Sequence, residues 1–268
     1  MRYGIMDAAW ELLQGIPERR HLKFLELSCG DAVLLERLHQ DGVCVRGTTF
    51  HGKEKDYIRG RDYPEEIQVD TGIDLNRPFP YADGSFDVVY STEVIEHLEG
   101  HRNFISESGR VVKPNGWLMM TTPNLHRLLS RIHFALSGVH LVKCPILRAS
   151  EPLDRMEEFH NHCADFVVLH WLLWNNGFRI TRIIPAYVHP ISRALGLSGP
   201  LLRRFVKSGL LRYYPKHAPE DEALQDLIHW MTSKVLLTSE HICLLARKTA
   251  PVFATAPGTS TYYRGPAE

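Results

Sequence analysis

The stretch FLELSCGDAVLLERL, residues 24–38, reads as an apolar strand running through a short turn into a helix, and its turn decides how the chain is to be understood. Turns of this kind in ligand-binding α/β folds usually hold two or three glycines. Here Gly30 is the single glycine, flanked by Ser28, Cys29 and Ala32, all small enough to let backbone approach a ligand closely. One glycine leaves two readings open: a ligand turn, and the compact strand-to-helix connection that any α/β protein needs.

Six further β-rich runs follow KFLELS (23–28): GVCVRGTTF (42–50), EIQVD (66–70), FDVVYS (86–91), WLMMTT (117–122), FRITRII (178–184) and EHICLLAR (240–247). Helical segments lie between the early runs, led by DAVLLERLHQ with Asp31 near its N-terminus. This alternation predicts an α/β fold: a doubly wound, mostly parallel seven-stranded sheet with helices on both faces. More than 50 residues of helical character separate the last two runs, which predicts a helical insertion there and a late strand that enters antiparallel. A single domain is expected over residues 1–249, with insertions at 125–165 and 186–238, and a disordered tail at 250–268 that is rich in Ala, Pro, Thr and Gly.

Composition narrows the partners. Lys plus Arg equals Asp plus Glu at 31 each, so no global field draws the 268-residue chain to nucleic acid, and no nucleic-acid partner is expected. The five cysteines (Cys29, Cys44, Cys144, Cys163, Cys243) lack C-x-x-C spacing, which argues against a disulfide framework and points to the cytoplasm. MRYGIMDAAWELLQGIPERR places Ile5, Met6, Ala9, Trp10 and Leu13 on one helical face and lacks the pattern of a secretion signal. No apolar run is long enough to span a bilayer.

The segment DLNRPFPYADGSFDVVYSTEVIEHLEGHRNFISESGRVVKPNGWLMMTTPN, residues 74–124, resembles the class I, seven-stranded S-adenosylmethionine-dependent methyltransferases, in the branch with a D-L…F-D-V-V…E-V-x-E-H…K-P-G-G…T-x-P-N signature. With the first turn, the resemblance covers residues 22–125. It implies S-adenosyl-L-methionine as cofactor, held by Glu26, Ser28, Cys29, Gly30, Thr49, Asp74, Leu75, Ser91 and Thr92. Glu26 matches the acid that ends the first strand, Asp74 and Leu75 the pair beside the adenine, and Ser91 and Thr92 the backbone beside the methionine part. The chain departs from the family in two places. Ser28 and Ala32 replace glycines, each with a strain of roughly 1 kcal/mol wherever φ must be positive. Thr49 replaces the acid that accepts both ribose hydroxyls, a loss of about 1.5–3 kcal/mol for a charge-assisted hydrogen bond. A nicotinamide enzyme would want both G-x-G-x-x-G and an acid after the second strand, and both are missing.

Methyl transfer to a hydroxyl needs a group that takes its proton. If Glu93 opens a helix, Glu96 and His97 fall at i+3 and i+4 on its face. His97 is the expected base, Glu96 its orienter, and His160 a further catalytic candidate. The E-x-x-E-H spacing also resembles the divalent-metal ligands of the ubiquinone-pathway O-methyltransferases and of the 2′-O-methyltransferases of small-RNA ends. That resemblance implies a metal set of Glu93, Glu96, His97 and His160, with His162 the less well spaced alternative. The alternative reading has Glu96 pairing locally and His97 packed under a loop.

The insertions set the acceptor. TTPNLHRLLSRIHFALSG and NNGFRI resemble bacterial methyltransferases of surface-polysaccharide or lipid-linked sugar assembly, which implies O-methylation of a sugar hydroxyl. A quinone or phenolic acceptor is the second expectation, and a degenerate, non-catalytic binding or scaffold protein the third. Arg193, Arg203, Arg204, Lys207 and Arg212 stand among apolar residues and suit either peripheral contact with the inner-membrane surface or ordinary packing of long basic stems. The oligomeric state is not legible.

Overall fold

The computed structural model describes residues 4–50, 66–141, 160, 162–188, 190, 204–209, 212 and 221–249. Seven strands form one sheet: β1 (Lys23–Glu26), β2 (Cys44–Thr49), β3 (Gln68–Thr71), β4 (Phe86–Thr92), β5 (Val112–Pro123), β6 (Phe178–Val188) and β7 (Ser239–Lys248). Their order is β3-β2-β1-β4-β5-β7-β6, with β7 antiparallel to both neighbours and the remaining pairs parallel. The seven runs read from the sequence are these seven strands. Chain order reverses at β1, which pairs with β2 on one side and β4 on the other, so a crevice opens beyond their carboxyl ends.

The strands alternate sharply between two cores. Phe24, Val88, Tyr90 and Met119 enter one, and their neighbours Leu25, Val89, Leu118 and Met120 enter the other. The first core is closed by α1 (Ile5–Gln14) through Ala8, Ala9, Leu12 and Leu13, and by α2 (Val33–Gln40) through Leu34 and Leu38. The second is closed by α3 (His101–Val111), α5 (Phe166–Asn175) and α6 (Glu222–Met231), with Phe104, Phe166 and Leu227 among the buried side chains. α4 (Leu128–Ser137) leaves the end of β5, and the short α7 (Lys234–Thr238) leads into β7.

Local chemistry sets the helix starts. Asp165 caps α5 by accepting from the Val167 and Val168 amides, Asp221 accepts from Leu224, and Ser233 from Leu236. At α2 Ala32 is the cap residue, at φ +54°, and Asp31 lies just ahead of it, near the N-terminus as expected. The insertion between β6 and β7 carries α6 and α7, as its helical character predicts. Parts of the two expected insertions and the whole of the 250–268 tail lie outside the described residues, as does Cys144. Cys29, Cys44, Cys163 and Cys243 are free thiols. Among the described residues no helix is long and apolar enough to cross a membrane.

Candidate active site

The turn after β1 takes the glycine-type conformation without the glycines. Ser28, Gly30 and Ala32 sit at φ +58°, +52° and +54°, all left-handed. Neighbouring strands hold it there. The Ser28 amide donates to Thr48 Oγ1 at 2.9 Å, the Cys29 amide to the Thr48 carbonyl at 2.9 Å, and the Leu27 amide to the Tyr90 carbonyl at 2.8 Å. Two strained residues at roughly 1 kcal/mol each are offset by such bonds, worth about 1 kcal/mol each net. β2 approaches closely at Gly47, where a Cβ would sit 2.8 Å from Leu35 Cδ2 and 3.1 Å from Cys29 Sγ.

Beyond this turn lies a cleft of about 430 Å³, lined by Ser28, Gly30, Thr49, Asp74, Leu75, Glu93 and His97, with Phe50, Ile73, Asn76, Val94 and Leu98 completing the wall. Its volume suits a nucleoside-sized ligand. Five of the nine residues expected to hold the cofactor therefore face it. The other four do not line it. Glu26 is buried and accepts from the Tyr90 hydroxyl at 2.9 Å, and burial pushes its carboxyl up to about 8. Cys29 packs with Ala32, Leu35 and Ile67 beneath the turn, Ser91 is buried within β4, and Thr92 lies at the end of that strand. Asp74 is engaged locally, accepting from the Asn76 amide at 2.9 Å and from Arg77 Nε at 3.1 Å. The hydrophobic wall residues Phe50, Ile73 and Leu98 carried no chemical signal by which sequence reasoning could find them.

The exit from β4 differs from the helix expected there. Glu93 turns left-handed at φ +52°, and only a single 3₁₀ turn, Ile95–His97, follows. Glu93 therefore does not share a helical face with Glu96 and His97. Its carboxylate is taken by two strands instead: Thr121 Oγ1 on β5 donates to Oε1 at 2.8 Å, and Nδ1 of the buried His241 on β7 lies 2.8 Å from Oε2. Burial works against ionisation of Glu93, yet His241 and Thr121 outweigh it and hold the carboxyl below its ordinary range. Glu96 is the opposite case. Burial and the charge of Glu93 push its carboxyl well above the usual range, with Thr122 Oγ1 3.2 Å from Oε2. Two neighbouring carboxyls are thus shifted in opposite directions, one below and one above the ordinary range.

Donor atoms of Glu96, His97 and His160 lie within 4.8 Å of one another, and the two imidazoles meet edge to face with centroids 4.9 Å apart. Glu96 Oε1 and His97 Nδ1 are buried without a hydrogen-bond partner. Glu93, the fourth expected ligand, is not in this group, and its carboxylate is held by Thr121 and His241. His162 is exposed and contributes its amide to the Glu96 carbonyl at 3.3 Å. Burial pushes the Cys163 thiol up to about 12, so it is a poor nucleophile. Sequence reasoning missed His241, which β7 brings in. The link runs through the T-T-P-N run: Thr121 and Thr122 hold the two glutamates, while Asn124 Nδ2 donates to the carbonyls of Leu236 and Ser239 and fixes the corner into β7.

The fold is that of the class I methyltransferases. Residues 25–120 match a family described as a methyltransferase domain. Norajmaline N-methyltransferase of Rauvolfia serpentina is 30% identical over 119 residues, 42% of this chain and 40% of that protein. A ubiquinone biosynthesis O-methyltransferase of Brucella melitensis is 27% identical over 135 residues, 50% of this chain and 54% of that protein. The chain thus spans about half the length of the curated relatives it matches. A Mesorhizobium loti S-adenosylmethionine-dependent methyltransferase superposes with a TM-score of 0.53 at 15% identity, covering 91% of this chain and all of that one. A Galdieria sulphuraria structure, a sarcosine dimethylglycine methyltransferase by description, superposes with a TM-score of 0.51 at 20% identity over 91% and 85% of the two chains.

Proposed function

We propose that this protein is an S-adenosylmethionine-dependent O-methyltransferase whose acceptor is a sugar hydroxyl of a surface glycan or lipid-linked saccharide. The observation that carries the reading is the 430 Å³ cleft, bounded by the left-handed Ser28–Gly30 turn at one end and by His97 at the other. The donor lies along the turn, with its ribose toward Thr49 and its adenine toward Asp74 and Leu75. The acceptor oxygen attacks the methyl carbon as the carbon–sulfur bond breaks, the sulfonium becomes a thioether, and the hydroxyl proton passes to His97. His160, edge-on to His97, restricts the imidazole's rotation. Glu96, buried beside His97 and accepting from Thr122 Oγ1, is a positioning residue.

The resemblance of TTPNLHRLLSRIHFALSG and NNGFRI to glycan-assembly methyltransferases supports the sugar acceptor. The ubiquinone biosynthesis relatives support a quinone or phenol as the second reading. A divalent cation is the alternative to His97 as the agent of deprotonation, since an imidazole bound to the ion cannot also take the proton. Glu96 and His97 each direct an orphaned buried atom into the same small space, and His160 completes a three-donor set of a kind that transition metals accept. Such an ion, bound there, would polarise the acceptor hydroxyl and ease its deprotonation.

Calorimetric titration with S-adenosylmethionine and, separately, NAD tests the class: heat with the first alone is expected, and silence with both would mean a non-catalytic binding protein. Transfer of radiolabelled methyl from the donor into a lipid-linked saccharide fraction, compared with a quinone fraction, tests the acceptor. Loss of activity in EDTA that Mn²⁺ restores is expected if the cation belongs to the site, and unchanged activity removes it.

A further inference from the structure

Helix α4 is packed against its composition. LLSRIHFALS is largely apolar, yet among its ten residues Ser130 is the one that is buried. The far end stands in solvent: Leu136 is 85% exposed, Phe134 47% and Ile132 42%, with Val139 just beyond at 46%. An apolar tip of this kind marks an interaction surface. The base of the helix, by contrast, is fixed. Arg127 pairs with Glu240 at 3.1 Å and donates to the Leu141 carbonyl, and His126 meets Asp165 at 3.0 Å.

Charge says what kind of surface covers the tip. Glu240 and Asp165, the acids at the helix base, are already paired. Lys234 is exposed on α7, against which α4 packs. A second piece repeats the composition: the helical turn 204–209 exposes Phe205 between the exposed Arg204 and Lys207. The geometry of the sheet relates the two pieces. β6 runs parallel to β5, since both are antiparallel to β7, so the segment between β6 and β7 leaves and returns at the carboxyl edge from which α4 also rises. The cleft opens at that edge. A second copy of the chain docked about a two-fold axis would bring these cations face to face, whereas a sheet of phosphates would neutralise them.

We propose that α4 and the 204–209 turn seat the protein on an anionic phospholipid surface, with the α4 tip in the boundary between headgroups and acyl chains and the basic residues on lipid phosphate. The cleft then faces the interface. This deepens the methyltransferase reading, on which it rests only for naming the side from which the acceptor arrives.

Co-sedimentation of the full chain with vesicles tests it. Binding is expected to vesicles of equal parts phosphatidylglycerol and phosphatidylcholine, to weaken sharply in high salt, and to be far weaker with phosphatidylcholine alone. The doubly substituted Leu136→Ser, Phe134→Ser protein should partition about tenfold less. Arg204→Gln with Lys207→Gln should lose about fivefold per charge on the anionic vesicles. All four positions are exposed, so folding is undisturbed, and calorimetry with S-adenosylmethionine should match the parent in every variant. A parent protein that stays in the supernatant with anionic vesicles overturns the proposal. So does light scattering that finds a dimer in the parent and a monomer in the Leu136→Ser, Phe134→Ser protein, with equal vesicle binding by both, which would assign the face to a second copy. Silence toward S-adenosylmethionine alongside vesicle binding would sink the methyltransferase reading and leave the docking surface standing.

Discussion

The two ends of the cleft are built from different materials. At the turn after β1 the backbone does the work: three left-handed residues and a pair of small side chains, with Thr49 at the end of β2. At the exit from β4 the side chains do it, with two carboxyls, His97, His160 and His241 packed beneath the strand ends. Backbone geometry survives replacement of its glycines because hydrogen bonds from β2 and β4 impose it, at a cost small enough to absorb. The ionisable cluster has no such tolerance, since each buried charge depends on a particular partner.

The contrast is sharpest in function. His97→Ala is expected to lower methyl transfer by about 10²–10⁴-fold, the range for a positioned acid–base group, while donor affinity measured by calorimetry stays nearly constant. Loss of donor binding instead would move His97 from the acceptor end to the donor end and erase the distinction.

Glu26 tests whether burial at the donor end is as costly as at the acceptor end. Its carboxyl is raised from 4.5 to about 8, so the folded state holds its proton over a range in which the unfolded chain releases it. The stability it permits is therefore fully present below about pH 4.5 and is lost as pH rises toward 8. Glu26→Gln should be neutral in denaturant unfolding at pH 4 and stabilising at pH 8, on the order of 4 kcal/mol. Equal effects at both pH values would mean that the carboxyl is not proton-bearing.

Thr49→Asp should tighten S-adenosylmethionine roughly ten- to a hundredfold in calorimetry, the equivalent of one charge-assisted hydrogen bond regained. A weaker or unchanged affinity would place the ribose elsewhere. The smallest effect belongs to the turn itself: Ser28→Gly and Ala32→Gly should each stabilise the fold by about 1 kcal/mol or less, read from the denaturation midpoint, because relief of left-handed strain exceeds the added chain entropy only narrowly. Destabilisation by both would show that the small side chains contribute more to the turn than their strain costs.

Much of this was legible in advance, and for identifiable reasons. Period-two burial in Phe24-Leu25 and in Val88-Val89-Tyr90 marks strands that are covered on both faces, and the two departures from glycine predicted strain at Ser28 and Ala32, both of which are left-handed. The helix expected at Glu93 was not there, because spacing along a chain says nothing about a left-handed residue that redirects it.

By itself the sequence determined where the seven strands lie along the chain and the small-residue turn after the first, since these follow from local periodicity and side-chain size. Only the tertiary structure decided that Glu93 is held by His241 and Thr121 instead of sharing a helical face with Glu96 and His97, that Glu26 faces Tyr90 rather than the cleft, and that α4 keeps its apolar tip bare. Partner choice among buried charges and the covering of a helix face depend on which distant segments the sheet brings together, and no local pattern encodes that distance.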